Sequence, residues 1–103
     1  MGYKLTNFDY NGLLLQESYA KVVEIRSTFE QNNVSILFAI GLYPNRAISE
    51  NNQCLGIIYE NSFVVNKSDF NTDIKLDVYT WLNDKINEEG TIESLIFKDA
   101  EAL

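Results

Sequence analysis

Apolar and polar side chains alternate along much of the first two thirds of the chain, the pattern of half-buried β-strands. From Ser18 to Glu30 the alternation predicts one apolar face, formed by Tyr19, Val23, Ile25 and Phe29. Gln31-Asn32-Asn33 follows, with residue types that favour a tight loop, and the next run, Val34 to Tyr43, is apolar on both faces. The pattern predicts a hairpin whose second strand lies inside the sheet and not at its edge.

Further strands are predicted on either side of this hairpin. The run from Leu55 to Val65 predicts a third long strand, and Tyr3 to Asn7 predicts a short edge strand. One face of the third strand should carry Leu55, Ile57, Tyr59, Phe63 and Val65, and the other Ile58 and Val64. Asn11-Gly12 indicates a tight turn, while the polar segment from Asn45 to Gln53 predicts a loop that projects into solvent.

The period changes after Lys67 to that of an amphipathic helix. Asn71-Thr72-Asp73 offers capping side chains and Gly90 suits the position after a helix end, so we predict a helix from Asp73 to Glu88. Its apolar arc consists of Ile74, Val78, Tyr79, Trp81, Leu82 and Ile86. The tail from Thr91 to Leu103 predicts one helical turn, an extended arm, or both.

Together these elements predict an α+β fold. We expect an antiparallel sheet of three to five strands, one C-terminal amphipathic helix packed on it, and a short C-terminal tail. A length of 103 residues suits one domain. We assign residues 1–90 to a single α+β domain and residues 91–103 to a C-terminal tail or arm.

Composition argues against catalysis. The chain contains no histidine and a single cysteine, Cys54, which excludes Ser-His, Cys-His and Zn-His sites. The glycines form no phosphate-binding loop, and the carboxylates lack the spacing of a calcium loop. We therefore expect no enzymatic activity, no catalytic residue, no cofactor and no metal. No apolar run is long enough to cross a bilayer, so we also expect no membrane partner.

Acidic charge is concentrated in the last third of the sequence. The net charge is −7, and residues 69–103 carry nine of the fifteen acidic side chains but three of the eight basic ones. This balance argues against a nucleic-acid partner. The predicted helix carries an acidic stripe: Asp73, Asp77, Asp84 and Glu88. Such a stripe is typical of a solvated helix face, and it is also the candidate face for a basic partner.

Candidate contact residues lie mainly in segments that a compact core does not need, the polar loop and the tail. They are Arg46, Ile48, Trp81, Ile96 and Phe97.

Several short stretches are similar to a loose group of small structural proteins encoded among the tail and head–tail genes of tailed bacteriophages. They are Ser18-Tyr19-Ala20-Lys21-Val22, the strand through Phe63, Val78-Tyr79-Thr80-Trp81-Leu82, and Phe97-Lys98-Asp99-Ala100-Glu101. The resemblance spans most of the chain. It implies a virion component, in the capsid, connector, tail or baseplate, that binds copies of itself or neighbouring proteins without catalysis.

Two functions are consistent with these observations. The first is a non-enzymatic structural or assembly protein of a tailed phage virion, made in the host cytoplasm and homo-oligomeric in the particle. The second is a small acidic inhibitor or adaptor that binds a basic surface on a host protein.

Overall fold

The computed structural model describes residues 2–50, 53–70 and 73–102. Its elements are β1 (Tyr3–Tyr10), β2 (Leu13–Phe29), β3 (Asn33–Tyr43), α1 (Arg46–Ser49), β4 (Gly56–Asn66), a 3₁₀ helix (Lys67–Asp69), α2 (Ile74–Ile86), α3 (Ile92–Ile96) and β5 (Glu101–Ala102). Within these ranges the strands form one five-stranded antiparallel sheet in the order β4-β3-β2-β1-β5. The predicted α+β class is confirmed. The short helix α1 was not predicted.

Local residue types account for both long hairpins. Asn11 and Gly12 adopt φ values of 52° and 87°, the left-handed backbone that a two-residue hairpin turn requires, and the Asp9 carboxylate accepts a hydrogen bond from the Gly12 amide at 2.9 Å. In the second hairpin the Glu30 amide donates to the Asn33 carbonyl at 2.8 Å. The predicted turns are confirmed, and β1 extends beyond the short strand predicted there.

The core lies between one face of the sheet and α2. Alternate residues of β3 are completely buried on this face: Val34, Ile36, Phe38, Ile40 and Leu42. They meet the buried helix residues Val78, Tyr79 and Leu82. The predicted inner strand and the predicted helix face are therefore confirmed.

Helix α2 begins and ends close to the predicted positions. Asp73 caps it, because its carboxylate accepts a hydrogen bond from the Leu76 amide at 3.2 Å. The helix ends at Ile86 with Asn87 as C-cap, so Gly90, at φ 87°, lies beyond the position predicted for it. Asn71 and Thr72, the other predicted capping candidates, lie outside the described residues.

Two β-bulges overturn part of the predicted face assignment. One lies in β2 between Val22 and Glu24, and the other lies opposite Ile40 and Gly41, where β4 contributes an extra residue. A bulge moves every later side chain of a strand to the opposite face. The predicted faces are therefore wrong at Tyr19, Val23 and Ile57, which lie on the face opposite the core, while Ile58 packs against the core.

The polar loop after β3 is also different from the prediction. Asn45 caps α1 by accepting a hydrogen bond from the Ile48 amide at 2.9 Å. Ser49 is 5% exposed, and its carbonyl accepts a hydrogen bond from Lys21 Nζ at 2.6 Å. This part of the loop folds back on the sheet and does not project into solvent. Asn51 and Asn52 lie outside the described residues.

The tail forms both predicted alternatives, a helical turn and an extended strand. Thr91 caps α3 through a hydrogen bond from the Ser94 amide at 3.1 Å. The chain then extends into β5, where Glu101 pairs with Lys4 of β1. The described part of residues 91–103 thus joins the sheet that β1 to β4 form. Leu103 lies outside the described residues.

Candidate functional site

The candidate contact residues Arg46 and Ile48 lie on α1, which covers one end of the outer face, the face of the sheet opposite the core. Both side chains are exposed. Beneath them Tyr19 is almost completely buried, which raises the pKa of its hydroxyl, and the adjacent Arg46 guanidinium opposes that shift. The Lys21 ammonium lies 5.1 Å from the centre of the Tyr43 ring. This corner is a folded surface in which α1 contacts β2 and β3.

Trp81 lies on the core side of the sheet, on α2, where this helix contacts β4. Its ring stacks on Phe63 with a centroid distance of 5.2 Å and an interplanar angle of 7°, and it meets Phe38 edge-on at 5.7 Å. Lys85 Nζ lies 5.7 Å from the ring centre. The indole is half-buried, so one part of it contacts β4 while another part faces solvent.

The two candidate residues from the tail are placed differently. Ile96 is half-buried and borders a cleft of about 580 Å³ between β1 and α3. Phe97 is 1% exposed, with its ring 5.6 Å from that of Tyr3 and 5.9 Å from that of Tyr59. The prediction of Phe97 as a contact residue does not hold in this chain, because its side chain is part of the core.

The acidic stripe of α2 has mixed surroundings. Asp73 caps the helix, and Glu88 pairs with Lys85 at 3.4 Å. Asp77 and Asp84 face β4 instead. Among the described residues no group of three or more acidic or cysteine side chains could hold a metal ion.

A shallow groove lies where Asp77 and Asp84 face β4, and we name it the β4 groove. It has a volume of about 250 Å³ and is lined by Phe63, Val64, Val65, Asp69, Asp77, Thr80, Trp81 and Asp84. It brings Trp81, predicted as a contact residue, together with two residues of the predicted acidic face. Arg46, Ile48 and Ile96 do not line it.

Sequence reasoning missed the outer apolar patch, which we define as Val23, Leu37, Ile57 and Val64. These side chains are between 37% and 62% exposed and lie on the outer face of β2, β3 and β4. Leu37 lies in the run predicted to be apolar on both faces, and Val64 was assigned to the second face of its strand. Val23 and Ile57 join them because of the two bulges, which no local sequence signal marked.

Glu93 was also missed. The residue is 6% exposed, and its carboxylate accepts hydrogen bonds from the Tyr59 hydroxyl at 2.6 Å and from the Asn61 side-chain amide at 3.4 Å. Burial raises the pKa of Glu93, but the hydrogen bonds and the Lys85 charge outweigh it and hold the pKa below its usual value. Burial and the bond to Glu93 raise the pKa of Tyr59 to about 12. The pair joins α3 to β4.

A second buried polar contact explains how the bulge in β2 is accommodated. Val22 lies at the bulge, and its amide donates a hydrogen bond at 2.9 Å to the hydroxyl of Tyr79 on α2. The helix therefore satisfies a buried backbone donor of the sheet.

None of the helices in the described part of the chain combines the length and apolar character that a bilayer crossing requires. No protein-family model, curated protein or solved structure matches the chain.

Proposed function

We propose that this protein is a non-enzymatic structural or assembly protein that binds copies of itself and neighbouring proteins. The observation that carries the proposal is the outer apolar patch. Helices α2 and α3 cover the core face of the sheet, whereas on the outer face the described residues place α1 at one end and Cys54 beside Gly41. Leu37 and Val64 are near neighbours on this face. Val23 and Ile57 lie beside Gly41, about 13 Å further along β3. Exposed apolar side chains on one face are typical of surfaces that bind another protein.

The size of the outer face fits a repeated, modest interface. Three long strands at a spacing of about 4.8 Å and a length of about 35 Å form an outer face of about 500 Å² per copy, and α1 covers one end of it. Two copies packed face to face would therefore bury less than about 1,000 Å², which is below the usual range for a specific interface. An interface of this size is weak alone and becomes stable when a symmetric assembly repeats it.

Charges on this face are compatible with self-association. Glu24 and Arg26 form an ion pair at 2.6 Å within one chain, so this pair carries no net charge towards a second copy. Lys21 and Glu60, which lie on the same face, carry opposite charges. We therefore place a second copy on the outer apolar patch, with the two sheets packed about 10 Å apart.

The oligomeric state tests this proposal. We expect sedimentation velocity to show wild-type dimers or larger species, and Leu37→Lys to sediment as a monomer because it places a charge in the patch. Leu95→Lys is the matched control: Leu95 is 71% exposed but lies on α3, away from the patch. A wild-type protein that stays monomeric up to about 1 mM would refute self-association through this face.

The resemblance to small proteins of tailed phages supports the virion as the setting. Its test is mass spectrometry on density-purified particles from the source culture. Stoichiometric presence, at a copy number typical of a ring, would support a tail or connector position. Absence from particles together with abundance in the cytoplasm would refute the virion setting.

The β4 groove favours one alternative, a free acidic adaptor that binds a basic surface of a host protein. Its acidic residues Asp69, Asp77 and Asp84 lie beside the half-buried Trp81. In that case charge reversal at Asp73, Asp77, Asp84 and Glu88 should abolish binding to the host protein, and binding should weaken steeply with salt. Binding that survives the reversal would exclude the adaptor.

A further inference from the structure

Strand β4 is an edge strand with an open edge. It lies at one end of the strand order, and no strand of the described ranges pairs with its outer side. Natural proteins protect such edges with proline, charged side chains, β-bulges or very short strands. The first half of β4 contains a bulge and Glu60, but the six residues from Asn61 to Asn66 contain no proline, no charged side chain and no bulge. The Ser62 amide already donates a hydrogen bond to Asn61 Oδ1 at 2.8 Å, and the remaining backbone groups on the outer side of this half of β4 are suited to pairing with another extended chain.

The open edge runs into the β4 groove. Three consecutive residues of β4, Phe63, Val64 and Val65, line the groove. Since successive side chains of a strand point to opposite faces, their joint presence means that the strand edge itself borders the groove. Thr80 and Trp81 of α2 form the opposite wall. A strand added to β4 would therefore have one face against this helix.

The acidic side chains of the β4 groove favour a basic binding partner. Asp77 and Asp84 on α2 are about 10.5 Å apart along the helix axis, and Asp69 lies beyond the end of β4. In an extended chain, side chains on one face repeat about every 6.7 Å, so two or three basic side chains can lie along this acidic wall. A second copy of β4 would instead bring Glu60 and another acidic wall to the same place.

We infer that the β4 groove binds an extended segment of a neighbouring protein that adds a strand to β4 and carries basic side chains on the face towards α2. Backbone hydrogen bonds along β4 supply affinity, and the carboxylates supply the preference for basic segments. The inference rests on the proposed function only in that the segment belongs to a partner protein.

Amide chemical shifts of the full-length protein test this inference. The probe is an acetylated heptapeptide that alternates lysine with threonine, and the control peptide alternates glutamate with threonine. We expect the lysine peptide alone to shift the amides of Phe63, Val64 and Val65 and the indole N–H of Trp81. Its affinity should fall as salt rises from about 50 mM to about 500 mM.

Charge-reversal variants separate the groove from the general acidity of the chain. Asp69→Lys combined with Asp84→Lys should weaken binding of the lysine peptide by about tenfold. Glu101→Lys is the matched control, since Glu101 is exposed on β5 at the opposite edge of the sheet. It should leave the affinity within about twofold of wild type.

Three results would overturn the inference. They are equal binding of the glutamate peptide, equal loss of affinity in Glu101→Lys, and contacts between β4 strands of two copies, which would assign the edge to self-pairing. Failure of peptide binding in a protein whose dimer is dissociated by Leu37→Lys would reject this inference and leave the proposed self-association standing.

Discussion

Replacement of Phe97 by alanine tests whether the segment after α2 is an integral part of the core. Phe97 is 1% exposed and lies between Tyr3 of β1 and Tyr59 of β4, at ring distances of 5.6 Å and 5.9 Å. It follows α3 directly, so it fixes the position of that helix and of the chain that leads to β5. Phe97→Ala removes the largest side chain by which this segment contacts the sheet.

The expected loss of stability is large compared with the total. Truncation of a buried phenylalanine costs about 3–5 kcal/mol, and the two aromatic contacts place Phe97→Ala in the upper part of that range. A domain of this length has a free energy of unfolding of about 5–15 kcal/mol. We therefore expect Phe97→Ala to remove between a quarter and most of the stability, and to release β5 from β1.

Urea unfolding followed by the fluorescence of Trp81, the single tryptophan, measures this loss. Leu95→Ala is the control, because Leu95 lies two residues away and is 71% exposed; it should cost less than about 0.5 kcal/mol. If Phe97→Ala is no more destabilising than Leu95→Ala, the segment does not pack on the core, and the structural argument for residues 91–102 is refuted.

Two further predictions concern buried polar contacts. Tyr79→Phe leaves the Val22 amide without its acceptor and should lower the free energy of unfolding in urea by about 1–3 kcal/mol. Tyr10→Phe, the control, loses an exposed hydrogen bond and should cost less than about 0.5 kcal/mol. Equal losses would contradict the assigned role of Tyr79. Because the folded-state pKa of Glu93 is lowered, its carboxylate stabilises the fold above the ordinary glutamate pKa and loses this contribution as pH falls through the lowered value. The stability difference between wild type and Glu93→Gln should therefore narrow between about pH 7 and about pH 3, and a constant difference would show that the charge of Glu93 contributes nothing.

The candidate site could be predicted only in part. The sequence indicated Trp81, Asp77 and Asp84 as surface candidates, and all three line the β4 groove. The sequence did not indicate that β4 would be the open edge, because strand order depends on which strands pair and not on the composition of any one strand. The apolar side chain of Phe97 suits a contact residue and a core residue equally well. Only its position against the sheet in the folded chain distinguishes these two roles.

Features with local causes were determined by the sequence itself. Asn11-Gly12 sets the first turn because these residues tolerate positive φ. The alternate apolar residues of β3 require burial on the core face, and Asp73 and the helical period define α2. Features that depend on partners distant in sequence were decided by the tertiary structure alone. The Val22 amide, at the bulge in β2, donates its hydrogen bond to a tyrosine 57 residues away. Strand β5 forms only because it can pair with the edge of β1. The outer apolar patch and the β4 groove both follow from such long-range pairing, so they become visible only in the folded chain.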